Sequence, residues 1–137
     1  MVVASPDYLV ARGEPQVLSD LDSHQCIQFL LPSTGRHVAW PFMENGQETA
    51  MLTRGDYLCR EDVSAGIQLA RAGAGLYQTY RFMVEAPLAR GELREVLVPY
   101  AGCARPFSLL YARDRLLSRP VRLFIDYLLE AVPQVNH

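Results

Sequence analysis

An α/β fold built on a mixed sheet is what this sequence predicts, and three stretches carry the prediction. Residues 56–79, DYLCREDVSAGIQLARAGAGLYQT, read as strand, helix and strand, the unit that joins parallel strands. Residues 44–47, ENGQ, hold the Asn-Gly pair of a type I′ hairpin turn, which joins antiparallel ones. From Ser118 onward, Val121, Phe124, Ile125, Leu128 and Val132 recur at helical spacing, so the chain closes on an amphipathic helix that needs a partner surface.

Taken in order, residues 2–4 are apolar enough for a strand that starts almost at the first residue, which suggests a missing segment upstream. Ser5 and Pro6 suit a helix cap and first turn, and residues 7–12 form a short helix ended by Gly13. Residues 14–23 are rich in turn formers, with Val17, Leu18 and Leu21 as anchors. QCIQFLL at 25–31 is a strand stopped by Pro32. After the polar loop 32–36, Val38, Trp40 and Phe42 alternate along a half-buried strand that the hairpin turn returns as 48–53. Residues 56–59 are a short buried strand. Asp62 stands at the N-cap of a helix carrying Val63, Ile67 and Ala70 inward, and Gly73 follows its last turn. Residues 74–78 are the next strand. Residues 80–90 read as a helix with Phe82, Met83, Ala86 and Leu88 inward, bent or restarted by Pro87 and closed by Gly91. Residues 93–98 and 107–112 are strands around a loop at 99–106, and Ser118 and Pro120 open the final helix.

At 137 residues the chain is one domain in size. A net charge of −2 provides no field that would draw it onto nucleic acid or an anionic membrane. No run approaches the roughly 18 apolar residues of a membrane span, and MVVASPDYL lacks the basic and apolar regions of a signal peptide, so a cytoplasmic protein is expected. Cys26, Cys59 and Cys103 are odd in number and far apart, which fits reduced thiols rather than a disulfide framework.

Six pieces of the chain, ASPDYLVARGEP at 4–15, DLDSHQCIQF at 20–29, PSTGRHVAWPF at 32–42, REDVSAGIQLARAGAGL at 60–76, PLARGELREVL at 87–97 and LLYARDRLLSRPVRLFIDYLLE at 109–130, stand in one register. Together they resemble the effector-binding domain of LysR-type transcriptional regulators, bacterial DNA-binding proteins switched by small metabolites. The resemblance implies a mixed-sheet lobe of a type 2 periplasmic-binding-protein-like fold, with effector held between two lobes joined by two crossover strands. Residues 1–112 would be the second lobe with both crossovers, near 3–5 and Tyr111, and 113–137 a helix that belongs to the first lobe. The winged helix-turn-helix through which such a regulator touches DNA has no counterpart in these residues. The run Leu76-Tyr77-Gln78-Thr79-Tyr80 departs from the family's usual Leu-Pro or Val-Pro pair beside the cleft, so no effector is carried over by analogy.

Candidate effector-binding residues fall at strand ends. Ser33, Thr34, Gly35 and Arg36 make a hydroxyl-rich, cationic loop matching the family's effector-facing loop, and Arg36 is equipped to grip a carboxylate through two parallel bonds. An ordinary solvated turn would use the same residue types. Arg60 and Glu61, with Asp62, open the central helix, where acidic residues also serve the helix dipole and would repel an anion. Gln78 and Thr79 follow the next strand. A small-molecule effector, favoured to be a carboxylate, and self-association are the expected partners; no cofactor, metal site or catalytic residue is expected. His24, His37 and His137 show no metal spacing with the cysteines, Trp40 and Tyr57 suit packing rather than an aromatic cage, and Gly73-Ala74-Gly75 ends a helix where a dinucleotide loop would start one. The competing classes are a small α/β hydrolase or transferase using Cys103 or a Ser-His pair, and a solute-binding lobe of a transport system.

Overall fold

The computed structural model describes residues 1–103, 110 and 118–131, in two compact units, Met1–Ala104 and Arg105–His137. In chain order the elements are β1 (Val2–Ala4), α1 (Pro6–Arg12), a 3₁₀ turn (Leu18–Ser23), β2 (Gln28–Leu30), β3 (Trp40–Glu44), β4 (Gln47–Met51), β5 (Leu58–Arg60), α2 (Val63–Arg71), β6 (Tyr77–Gln78), α3 (Arg81–Ala89), β7 (Arg94–Val96), a second 3₁₀ turn (Val98–Tyr100) and α4 (Arg119–Ala131).

The first unit is organised on five strands. β1 pairs antiparallel with β6 and β7, and β2 pairs parallel with β5, Phe29 opposite Cys59. A parallel bridge between Cys26 and Leu76 joins the two pieces, with Ile27 N–H donating to Leu76 O and Leu76 N–H to Gln25 O, both at 2.8 Å. The order is therefore β5-β2-β6-β1-β7, with β1 alone running against the other four. β5-α2-β6 is the crossover unit expected from the sequence, and it skips over β2. The hairpin forms as expected: Asn45 and Gly46 both have positive φ, 52° and 76°, as a type I′ turn requires, and β3 and β4 pair antiparallel across them. It stands as a separate two-stranded sheet, so the mixed character of the main sheet comes from β1 and not, as the sequence suggested, from the hairpin.

Alternate residues of each strand serve two cores. Val2, Ala4, Cys26 and Leu76 face one side, where Tyr8 and Leu9 of α1, Leu18 and Leu21 of the 3₁₀ turn, and Trp40 and Phe42 of β3 cover them. Val3, Ile27, Cys59 and Tyr77 face the other, beneath Ile67 and Ala70 of α2 and Val84 of α3. Burying a side chain such as Ile27 completely stabilises by roughly 1.5–3 kcal/mol. The caps read from the sequence form: Ser5 Oγ accepts from Tyr8 N–H at 3.2 Å, Asp62 Oδ1 from Ser64 N–H at 2.8 Å, and Gly13 and Gly73 have φ of 84° and 80°.

Several side chains lie elsewhere than expected. In α3 the inward residues are Val84 and Pro87, with Met83 and Leu88 half-buried, while Phe82 is 60% exposed and Ala86 is exposed. The face is rotated by one residue because Pro87, which the sequence marks as a breaker, packs its apolar ring inward near the end of the helix. Val17 is exposed rather than an anchor; Leu18 and Leu21 are buried as expected. β5 is an edge strand, so only Cys59 of it is buried while Tyr57 and Leu58 face solvent; Tyr57 is therefore not a packing residue. Trp40 is buried as expected. The expected strand at 107–112, the crossover near Tyr111 and Val132 lie outside the described residues.

In the second unit, Ser118 O accepts Arg122 N–H at 3.1 Å and so opens α4 as expected. No residue of this helix is buried; Ile125 and Leu128 are half-buried, and Val121 and Phe124 are exposed.

Candidate functional site

The parallel strands β5, β2 and β6 end at one edge of the sheet, and every candidate residue lies at or just beyond those ends: Arg60 and Gln78 are the last residues of β5 and β6, and the others follow. β2 runs into the loop 31–36, which closes on itself: Gly35 N–H donates to Leu31 O at 2.7 Å, Leu31 N–H to Arg36 O at 2.9 Å, and Arg36 N–H to the Thr34 hydroxyl at 3.3 Å. Gly35 supplies the positive φ, 65°, that this closure needs. Val38 N–H then returns to Phe29 O at 2.9 Å, beside an antiparallel bridge between Leu30 and His37. The loop is thus a hydrogen-bonded extension of β2 with Ser33, Thr34 and Arg36 exposed on it. Arg36 has no ion-pair partner among the described residues.

β5 delivers the second group. Arg60 stands opposite Leu30 in the parallel register, and its Nη2 donates to Pro32 O at 3.5 Å, so the end of β5 touches the residue that leads into the 33–36 loop. Glu61 follows with φ of 71°, spanned by a bond from Asp62 N–H to Arg60 O at 2.8 Å. That is a γ-turn of the strained hand on a residue with a Cβ, costing of order 1–3 kcal/mol. The Asp62 carboxylate occupies the N-terminus of α2, and the Ser64 hydroxyl and then its N–H hold its pKa below the usual value. An effector's anionic group would meet that charge at α2, which leaves the 33–36 loop as the electropositive part of the edge.

β6 delivers Gln78 and Thr79. The Gln78 amide donates to Pro41 O at 2.9 Å, and Thr79 is 7% exposed, its N–H on Met1 O and its hydroxyl toward Met83 Sδ. Both engage the protein itself, whereas Ser33, Arg36 and Glu61 are exposed.

Two residues near this edge, Gln28 and Thr53, were assigned no role from the sequence, and His37 was weighed there only as a metal ligand. Gln28 is 1% exposed and donates through Nε2 to Cys26 O at 3.0 Å and to the Thr53 hydroxyl at 2.8 Å, while its Oε1 faces His37 Nδ1 at 3.4 Å. The available signal was a glutamine at an alternating position inside the apolar run QCIQFLL.

Elsewhere, a groove of about 470 Å³ lined by Ser5, Asp7, Gln68, Arg71 and Glu92 lies at the opposite edge of the sheet, walled by an Arg71–Glu92 ion pair at 2.7 Å. Among the described residues no cluster of His, Cys, Asp or Glu suits a metal ion, and no helix is long and apolar enough to cross a membrane. Cys26, Cys59 and Cys103 are free thiols. Desolvation, and then Glu48, push the Cys103 thiol above its ordinary pKa, the reverse of what an activated nucleophile requires.

Comparison with known proteins agrees with this architecture. The LysR substrate binding domain family matches residues 1–133. The chain is 33% identical over 91% of its length to the uncharacterized HTH-type transcriptional regulator YhjC of Escherichia coli K12, and 28% identical over 99% to the probable HTH-type transcriptional regulator LtrA of Klebsiella pneumoniae. It spans 42% and 44% of those relatives. Among solved structures, CrgA, a LysR-type transcriptional regulator from Neisseria meningitidis, superposes with a TM-score of 0.76 at 26% identity, over 95% of this chain and 43% of that one.

Proposed function

This chain belongs to the LysR substrate binding domain family, and on that premise we propose that it senses a small-molecule effector for a LysR-type DNA-binding transcriptional regulator, without catalysis. The matched relatives bear the names of transcriptional regulators. The fold has the α/β character of a type 2 periplasmic-binding-protein-like lobe. In this reading residues 1–112 form the second lobe, 113–137 a helix of the first, and DNA is reached through a winged helix-turn-helix outside these residues. Such a regulator works in the cytoplasm and self-associates, and the exposed apolar side chains of α4 are suited to a partner surface.

One observation carries the site. The parallel pairing of β2 with β5 sets the 33–36 loop beside Arg60 at the carboxyl edge of the sheet, where α/β folds hold ligands. Ser33, Thr34, Gly35 and Arg36 receive the effector's carboxylate, Arg60 and Glu61 flank it, and Gln78 and Thr79 support the floor. Effector binding favours one arrangement of the lobes, and the oligomer passes that bias to the DNA-binding domains. Thermal-shift screening of the chain against small carboxylates tests this: binders raise the melting temperature, and Arg36→Ala abolishes the rise. Stabilisation that survives Arg36→Ala would remove the loop from the site.

A further inference from the structure

Gln28 and His37 form a hydrogen-bonded pair near this edge. Gln28 is enclosed within the sheet's hairpin-covered face, and the orientation of its amide is fixed by chemistry. The Cys26 carbonyl can only accept, so the atom 3.0 Å from it is the amide nitrogen, and the second amide proton goes to the Thr53 hydroxyl. The remaining atom, Oε1, can likewise only accept, and it faces His37 Nδ1. A proton must therefore sit on Nδ1. In the neutral ring Nε2 is then left with its lone pair, and it has no partner among the described residues on this exposed side chain. His37 directly follows Arg36 in the chain and its backbone bridges Leu30, so the ring is carried on the segment that closes the proposed effector loop.

We infer that Gln28 is a positioning residue that holds His37 in its Nδ1–H form, so that Nε2 accepts a hydrogen bond from a hydroxyl or N–H group of the effector. The inference rests on the reading of loop 33–36 as the effector's anchor. It names the effector's class: a small acid that also carries a donor, such as a hydroxy acid. The buried amide sets the tautomer, the tautomer sets the polarity of the exposed nitrogen, and that polarity selects the ligand.

Long-range ¹H–¹⁵N correlation spectra of the imidazoles in the full 137-residue chain read the tautomer directly. The expected result is Nδ1–H for neutral His37 in the native chain, retained in Gln28→Glu, which keeps the acceptor, and lost in Gln28→Leu, which does not. An Nε2–H ring in the native chain overturns the inference even where neither variant folds. Lactate and propionate, which differ by one hydroxyl, then serve as matched probes in thermal-shift titrations. Lactate is expected to give the larger shift, and His37→Phe to erase the difference. Equal shifts from the two acids in the native chain overturn the donor assignment while leaving the carboxylate loop intact. An Nδ1–H ring in a chain that no carboxylate stabilises would count against the loop's function and leave the role of Gln28 in setting the tautomer supported.

Discussion

Replacing Gly66 by alanine should destabilise this protein, although it puts a better helix former in the second turn of α2. In an exposed helix the change would gain roughly 1 kcal/mol, because glycine costs backbone entropy. Here a Cβ on Gly66 would lie 2.3 Å from Tyr77 Cζ, 2.5 Å from Cε2 and 2.7 Å from Cε1, whereas carbon atoms in contact sit roughly 3.5–4.0 Å apart. The ring cannot swing aside. It is 2% exposed, sits in the core with Val3, Ile27, Cys59, Ile67 and Val84, and is tied at its hydroxyl, which donates to Val63 O at 3.3 Å. Forcing α2 off the sheet costs about 1–3 kcal/mol for overpacking, plus about 1 kcal/mol if the Tyr77 hydrogen bond goes. Against the propensity gain, a net loss of about 1–3 kcal/mol remains, or a fall in melting temperature of roughly 5–20 °C for a domain this size. Urea unfolding followed by the fluorescence of Trp40, the one tryptophan and 3% exposed on the opposite core, measures it. In Gly66→Ala/Tyr77→Leu, where the ring is gone, the alanine should no longer cost stability relative to Tyr77→Leu alone. A midpoint for Gly66→Ala at or above that of the parent would refute the close approach.

Glu61→Gly removes the Cβ from the left-handed γ-turn and should raise the urea midpoint by the equivalent of roughly 1 kcal/mol, the strain relieved less the entropy of glycine; an unchanged or lower midpoint would show that the turn is unstrained. His24, whose Nδ1 faces the Tyr8 hydroxyl at 3.0 Å, has its pKa lowered by burial, with Asp20 opposing. The unfolded chain therefore binds the proton more readily. Stability is complete above the unfolded value of 6.5 and is lost as pH falls through it toward the folded value. His24→Gln should flatten that part of the pH profile, and an identical slope would count against it. Burial pushes the Cys26 thiol up to about 12 and raises that of Cys59 as well, so in mass-spectrometric alkylation both should react only on unfolding, while Cys103 labels in the native state, more slowly than free cysteine.

Features decided by neighbours in the chain were legible from the residues alone. Asn45-Gly46 needs only its own backbone preference to make the hairpin, and Ser5, Asp62 and Gly73 need only the helix they terminate. The crossover of residues 56–79 was readable because the periodicity changes twice within it. Facing was less so, because a side chain's direction depends on what the element meets. Pro87 looked like a breaker and became a core residue; Phe82 looked like core and stacks on Tyr80 at the surface, ring centroids 5.7 Å apart. Tyr57 and Leu58 read as buried until β5 proved to be an edge. At the site, the strand-end rule placed the 33–36 loop and Arg60 together, but alternation turns Thr79 into the core and Gln78 onto β3. The Gln28 network joins residues 26, 28, 37 and 53, a set that no local pattern connects.

The hairpin explains why those glutamines are there. A parallel crossover is ordinarily a helix, which satisfies its own backbone and packs as a rigid rod. From β2 to β5 the chain instead travels through β3 and β4, a two-stranded ribbon that is marginal by itself. Trp40 and Phe42 attach it by burial, which fixes its distance from the sheet but not its position along it. Directional bonds supply that: Gln78 reaches Pro41 O on β3, and Gln28, in the matching position of the neighbouring strand, reaches Thr53 beyond β4 and His37 before β3. Both ends of the excursion are thereby tied to β2 and β6, and the 33–36 loop, which lies within it, is held by its own bonds to Leu31 and Phe29. The loop therefore presents a preformed surface in which side chains, rather than backbone, are left to adjust to the proposed effector. In the proposed mechanism the conformational response then comes from displacement of the lobe as a body, because the loop that receives the ligand is anchored on both sides.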